Sequence, residues 1–82
     1  MSKHFFLRSG TAVGVLVHEA EQAESKTDFI HKITIALKEA NETKYWIELL
    51  FQSNCIDQTA HNSIKTDLTE ISKLLISIIK NN

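Results

Sequence analysis

Apolar residues in this chain recur at alternating steps of four and three, and this spacing constrains the fold more than any other feature of the sequence. Such steps keep apolar side chains on one face of an α-helix. Three segments carry the pattern, and their apolar positions are Phe6, Gly10, Val13, Val17 and Ala20; Phe29, Ile33, Ala36, Ala40, Ile47 and Leu50, interrupted by Thr43; and Ile64, Leu68, Ile71, Leu75 and Ile78. Because the chain has no proline and only two glycines, little interrupts long helices. The pattern predicts helices over about residues 3–23, 26–53 and 57–80.

The breaks between these segments carry helix-capping residues. Ser25 followed by Asp28 fits an N-cap with an acidic residue in the first turn. Asn54 is suited to the left-handed conformation that ends many helices, and Asp57 can cap the helix after it. Since the connections are short, consecutive helices must run antiparallel. We predict an all-α fold, an up-down antiparallel bundle with three helices in one domain over residues 1–82.

Composition and charge exclude several classes of protein. The net charge of −1 gives no overall field toward nucleic acid or an anionic membrane. The longest apolar runs, such as Val15–Val17, are far shorter than the roughly 20 residues that a membrane span needs. Cys55 is the single cysteine, so no disulfide can form within the chain, and we expect its side chain to pack beneath the inter-helix turn. A cytoplasmic location without a membrane partner is predicted.

The three helices are more apolar than a three-helix pack requires. Tyr45, Trp46 and Ile76 lie off the predicted inward faces and need other neighbours. Because contiguous exposed apolar surface usually marks an interface, we expect a homo-oligomer.

Gly10 and Gly14 stand four residues apart at the head of an apolar run, which fits three kinds of site. A phosphate-binding loop would need a preceding strand and a following Lys-Ser/Thr, and neither is present. A membrane-helix dimer motif would need a longer apolar segment. The remaining interpretation is close packing between soluble helices, with Gly10 on the inward face.

The polar residues predict no catalytic, cofactor or metal site. No two histidines share a helix at the i, i+4 spacing of common zinc sites, so we expect solvated or partner-facing side chains for His4, His18, His31 and His61. Glu39 and Glu42 lie three residues apart, where Arg8 of a neighbouring helix could bridge them. We interpret this set as an ion pair that fixes helix register, and we predict no enzyme and no cofactor.

Several ordered motifs resemble one known family. They are Arg8–Thr11, Gly14, Glu19 with Ala20, Glu24–Phe29 and Ala36–Trp46. Together they resemble the four-helix-bundle proteins encoded by intervening sequences of bacterial 23S ribosomal RNA genes. The resemblance covers nearly the whole chain, but the family pattern begins with an additional helix before its Arg-Ser-Gly-Thr segment. We therefore expect the first of the four family helices to be missing from this sequence.

The resemblance implies a bundle that assembles into a homopentamer and is related to the accessory protein of diversity-generating retroelements, which partners a reverse transcriptase and binds RNA. The family is not known as an enzyme, and its cellular role is undefined. We predict a non-enzymatic, self-assembling scaffold or adaptor; the alternative is an accessory protein that binds RNA or a ribonucleoprotein. The structural or interface candidates are Arg8, Gly10, Gly14, Glu39, Glu42, Tyr45 and Trp46.

Overall fold

The computed structural model describes residues 13–81, which form three helices and no β-strand. Helix α1 covers residues 13–21 of this part, α2 is Lys26–Gln52 and α3 is Gln58–Lys80. The all-α class predicted from the sequence is confirmed. Within residues 13–81, no helix combines the length and the apolar character needed to cross a membrane.

Local side-chain chemistry sets both ends of α2. The Ser25 hydroxyl accepts a hydrogen bond from the Asp28 backbone N–H at 3.1 Å, which satisfies one of the free donors of the first turn. At the other end, Asn54 adopts a φ of 61°, and the Cys55 N–H donates to the Leu50 carbonyl at 2.8 Å. This is a Schellman motif with asparagine in the left-handed position. Both predicted roles, the Ser25 cap and the left-handed Asn54, are confirmed.

Helix α3 begins directly after the turn. The Asp57 carboxylate accepts from the Ala60 backbone N–H at 2.8 Å, as its predicted capping role requires. Because only residues 53–57 separate the two helices, α3 returns alongside α2 in the opposite direction, and the two form a long hairpin.

The core is built from small and medium apolar side chains of all three helices. In the described chain its buried members are Val13, Ala20, Ile33, Ala36, Ala40, Ile47, Leu68 and Leu75. Ile33 and Ile47 are the largest of the fully buried side chains, while Ala36 and Ala40 occupy the middle of the α2 stripe. Thr43 is also buried, and its hydroxyl donates to the Glu39 carbonyl at 2.9 Å. The polar interruption of the stripe is therefore accommodated within the helix.

The buried face of α3 differs from the predicted one. Leu68 and Leu75 are buried as expected, but Ile71 is 37% exposed, whereas Ser72 beside it is only 4% exposed. His61, seven residues before Leu68, is also buried. The buried face of α3 still includes Leu68 and Leu75, but it is centred about 50° from the predicted stripe, on the side of His61 and Ser72.

Candidate functional site

A shallow groove of about 520 Å³ runs along the side of α2 that faces away from the core. We call it the α2 groove, and its lining residues are Thr34, Leu37, Lys38, Asn41, Glu42, Tyr45 and Trp46. At about 100° per residue, the central positions 34, 38, 41 and 45 point roughly 150° away from the buried stripe. Its apolar side chains are those of Leu37, Tyr45 and Trp46.

Two aromatic side chains form one end of the α2 groove. The rings of Tyr45 and Trp46 meet edge to face, with centroids 5.7 Å apart and an interplanar angle of 72°. Tyr45 is 62% exposed and Trp46 is 49% exposed. Aromatic side chains that combine an apolar body with one polar atom are enriched at protein interfaces, so this arrangement is typical of a contact surface.

The groove includes several of the residues predicted as interface candidates. Glu42, Tyr45 and Trp46 lie together along it, whereas Glu39 does not line it. Arg8, which was expected to bridge the two glutamates, lies outside the described residues. The proposed register pair therefore stays a prediction.

The two glycines of the opening motif have different outcomes. Gly10 lies outside the described residues. Gly14 is exposed in α1, and a Cβ atom built on it would meet nothing within 4 Å. Gly14 therefore makes no close contact with another helix among residues 13–81.

A second polar cluster joins α2 to α3 near their connection. The buried His61 ring stacks on Phe51, with centroids 4.2 Å apart and an interplanar angle of 20°. Its Nε2 atom lies 2.8 Å from Glu48 Oε1, at hydrogen-bonding distance. The expectation that His61 would be solvated or face a partner is wrong. Its spacing of seven residues from Leu68 and fourteen from Leu75 was the available sequence signal.

The hydrogen bond to His61 lowers the pKa of the Glu48 carboxyl, and the Lys65 ammonium, 3.4 Å away, adds to the effect against an opposing contribution from desolvation. The Glu48 carboxylate thus contacts two groups of α3, the His61 imidazole at hydrogen-bonding distance and the Lys65 ammonium as an ion pair. Because the buried His61 imidazole stacks on Phe51 and lies at hydrogen-bonding distance from Glu48, the cluster connects α3 to α2.

Other candidate reactive groups do not converge. No group of three or more His, Cys, Asp or Glu residues within 13–81 is placed to hold a metal ion. Cys55 is exposed, and its nearest hydrogen-bonding atom is the Ser53 carbonyl, 3.9 Å from Sγ. The expectation that Cys55 would pack beneath the turn is wrong, because the Schellman motif directs this residue outward.

These features define a small all-α bundle protein with an apolar groove on its longest described helix. The family model of the 23S rRNA-intervening sequence proteins matches residues 3–77, and the chain belongs to this family. The resemblance found in the sequence motifs is thereby confirmed.

A solved structure supports the same assignment. It is the crystal structure of a protein with unknown function from the S23 ribosomal protein family of Bacteroides thetaiotaomicron VPI-5482, 61% identical to this chain with a TM-score of 0.87. The alignment covers 90% of this chain and 68% of that one. No curated protein matches significantly. Neither the family description nor the description of the related structure names an enzymatic activity.

Proposed function

We propose that this protein is a non-enzymatic scaffold or adaptor that assembles with copies of itself through the α2 groove. One observation carries the proposal: the Tyr45 and Trp46 rings are exposed and lie beside Leu37 in the α2 groove. Removing exposed apolar surface from water is favourable by about 25 cal/mol per Å², so the exposed part of these rings favours association.

The polar residues of the groove fit a contact rather than a reaction site. Lys38, Asn41 and Glu42 lie along it, where they can form the hydrogen-bonding rim that surrounds an apolar interface centre. The homopentamer that the family resemblance implies would be a closed ring, which uses two different surfaces of each copy. The α2 groove would be one of these surfaces.

Light scattering coupled to size-exclusion chromatography tests this proposal. We expect an oligomer at micromolar concentration, and we expect Tyr45→Glu to shift it toward monomer because the variant places a charge in the groove. Thr27→Glu is the matched control, since it adds the same charge at an exposed position of α2 outside the groove. Circular dichroism verifies that both variants keep their helices.

Two results would refute the proposal. One is a wild-type protein that stays monomeric throughout the micromolar range. The other is a Tyr45→Glu variant that assembles as well as Thr27→Glu.

A second candidate function, RNA or ribonucleoprotein binding, is favoured by a separate observation. Lysine and hydroxyl side chains line the outer face of α3, away from the α2 groove.

A further inference from the structure

Two shallow grooves follow one another along the outer face of α3. One, of about 300 Å³, is lined by Lys65, Thr66, Thr69, Glu70 and Lys73. The other, of about 360 Å³, is lined by Lys73, Ile76, Ser77, Lys80 and Asn81. Because both include Lys73, they form one continuous surface over residues 65–81, which we call the α3 lysine face. At 1.5 Å per residue, this surface is about 24 Å long.

The charge of this face is positive although the chain as a whole has a net charge of −1. Lys73 and Lys80 form no ion pair with any described residue. Lys65 lies 3.4 Å from Glu48, yet its side chain is 56% exposed. Glu70 is the one carboxylate that lines either groove. The face therefore presents three ammonium groups against a single carboxylate of its own.

The spacing of the lysines fits an extended ligand. Eight residues separate Lys65 from Lys73 and seven separate Lys73 from Lys80, which correspond to rises of about 12 Å and about 10 Å along the helix. Thr66 and Thr69 lie between the first two lysines, and their hydroxyls form no hydrogen bond with other described residues. These hydroxyls can donate to phosphate oxygens or bond to ribose hydroxyls.

We infer that the α3 lysine face binds the sugar–phosphate backbone of single-stranded RNA, with the lysines facing successive stretches of phosphate. This inference rests on the second proposed function, RNA binding, and is independent of self-association. A flexible strand can follow a single helix face and place its phosphates beside all three lysines. Because the face has no aromatic ring for base stacking, the binding is independent of sequence.

Fluorescence anisotropy of a labelled 20-nucleotide oligouridine, titrated with the full chain at 50 to 200 mM KCl, tests the inference. Contacts from Lys73 and Lys80 give a slope of about −1.4 in a plot of log K against log salt concentration, and a third contact from Lys65, which must exchange Glu48 for phosphate, steepens it to about −2. Replacing Lys73 by alanine removes one contact, so the slope becomes less steep by about 0.7 and the affinity at 50 mM KCl falls about eightfold.

Lys26→Ala is the matched control, because it removes an exposed lysine from the first turn of α2. We expect it to retain the wild-type slope. Light scattering of each variant verifies that the oligomeric state is unchanged, which separates loss of this surface from loss of assembly.

The alternative outcomes are distinguishable. Binding that persists unchanged in Lys73→Ala, or that falls equally in Lys26→Ala, overturns the assignment of the site while RNA binding itself stands. No binding by the wild-type protein at low salt overturns both. Full competition by an equal charge concentration of polyglutamate also overturns the inference, because it identifies an acidic polypeptide as an equivalent ligand.

Discussion

Replacement of Ser72 by alanine should stabilise the protein. Ser72 is 4% exposed, and its hydroxyl oxygen has no hydrogen-bond partner among residues 13–81. A buried hydroxyl without a partner costs about 1–3 kcal/mol relative to its hydrated state in the unfolded chain. Alanine is also the better helix former, by about 0.5 kcal/mol. Since the two residues differ by one oxygen atom, the cavity left behind is small. We expect the free energy of unfolding to rise by about 1.5–3 kcal/mol.

Thermal and urea unfolding, followed by circular dichroism at fixed protein concentration, measure this difference. For a chain of this size, about 1 kcal/mol corresponds to about 4–8 °C in Tm, so Ser72→Ala should melt at least about 6 °C above the wild type. Ser63→Ala is the matched control, because Ser63 is exposed in the same helix and reports helix propensity alone. A Ser72→Ala variant that melts no higher than Ser63→Ala would refute the reasoning, since the hydroxyl would then have a partner in solution.

Three further predictions follow from single residues. Gly14→Ala should raise the free energy of unfolding by about 1 kcal/mol, because the added methyl group meets nothing within 4 Å among residues 13–81 and alanine is the better helix former. A loss of assembly in light scattering would instead place Gly14 at a close contact between copies. Glu48 has a pKa below its usual value in the folded protein, so its contribution to stability is complete above the unfolded pKa and disappears as the pH falls through the folded pKa. Glu48→Gln should therefore flatten the acid side of a plot of unfolding free energy against pH. An unchanged plot would contradict this assignment. Ile47→Ala should lower the free energy of unfolding, measured in urea, by about 2–5 kcal/mol because Ile47 is 1% exposed. Ile76→Ala, at a position that is 39% exposed, is the control. A loss at Ile47 no larger than the loss at Ile76 would show that the site is loosely packed.

The elements that local chemistry determines could be predicted from the sequence. Ser25, Asn54 and Asp57 act within four residues of their own positions, so their capping roles depend on no distant contact. The buried face of α2 could also be predicted, because a helix face with regularly spaced apolar residues must turn inward.

The features that depend on neighbouring helices could not be predicted from the sequence in the same way. Whether Ile71 or Ser72 faces inward depends on where α1 and α2 lie around α3, and both positions fit a four-three pattern. His61 is buried because Phe51 and Glu48 approach it from another helix. The exposure of Tyr45 and Trp46 could be predicted, because both residues lie off the inward apolar face of α2. The groove that they share with Lys38 and Asn41 could not be predicted from the sequence.

The small side chains in the core of residues 13–81 have a consequence for how the protein behaves in a cell. The largest fully buried side chains there are two isoleucines, and the central positions of α2 are alanines, so this part of the interior contributes modest stability to one copy. If copies bind through the α2 groove, each binding event adds to the stability of the fold by mass action. The folded fraction would then depend on the amount of protein present. A cell that makes few copies would lose them to proteolysis, whereas one that makes many would accumulate them.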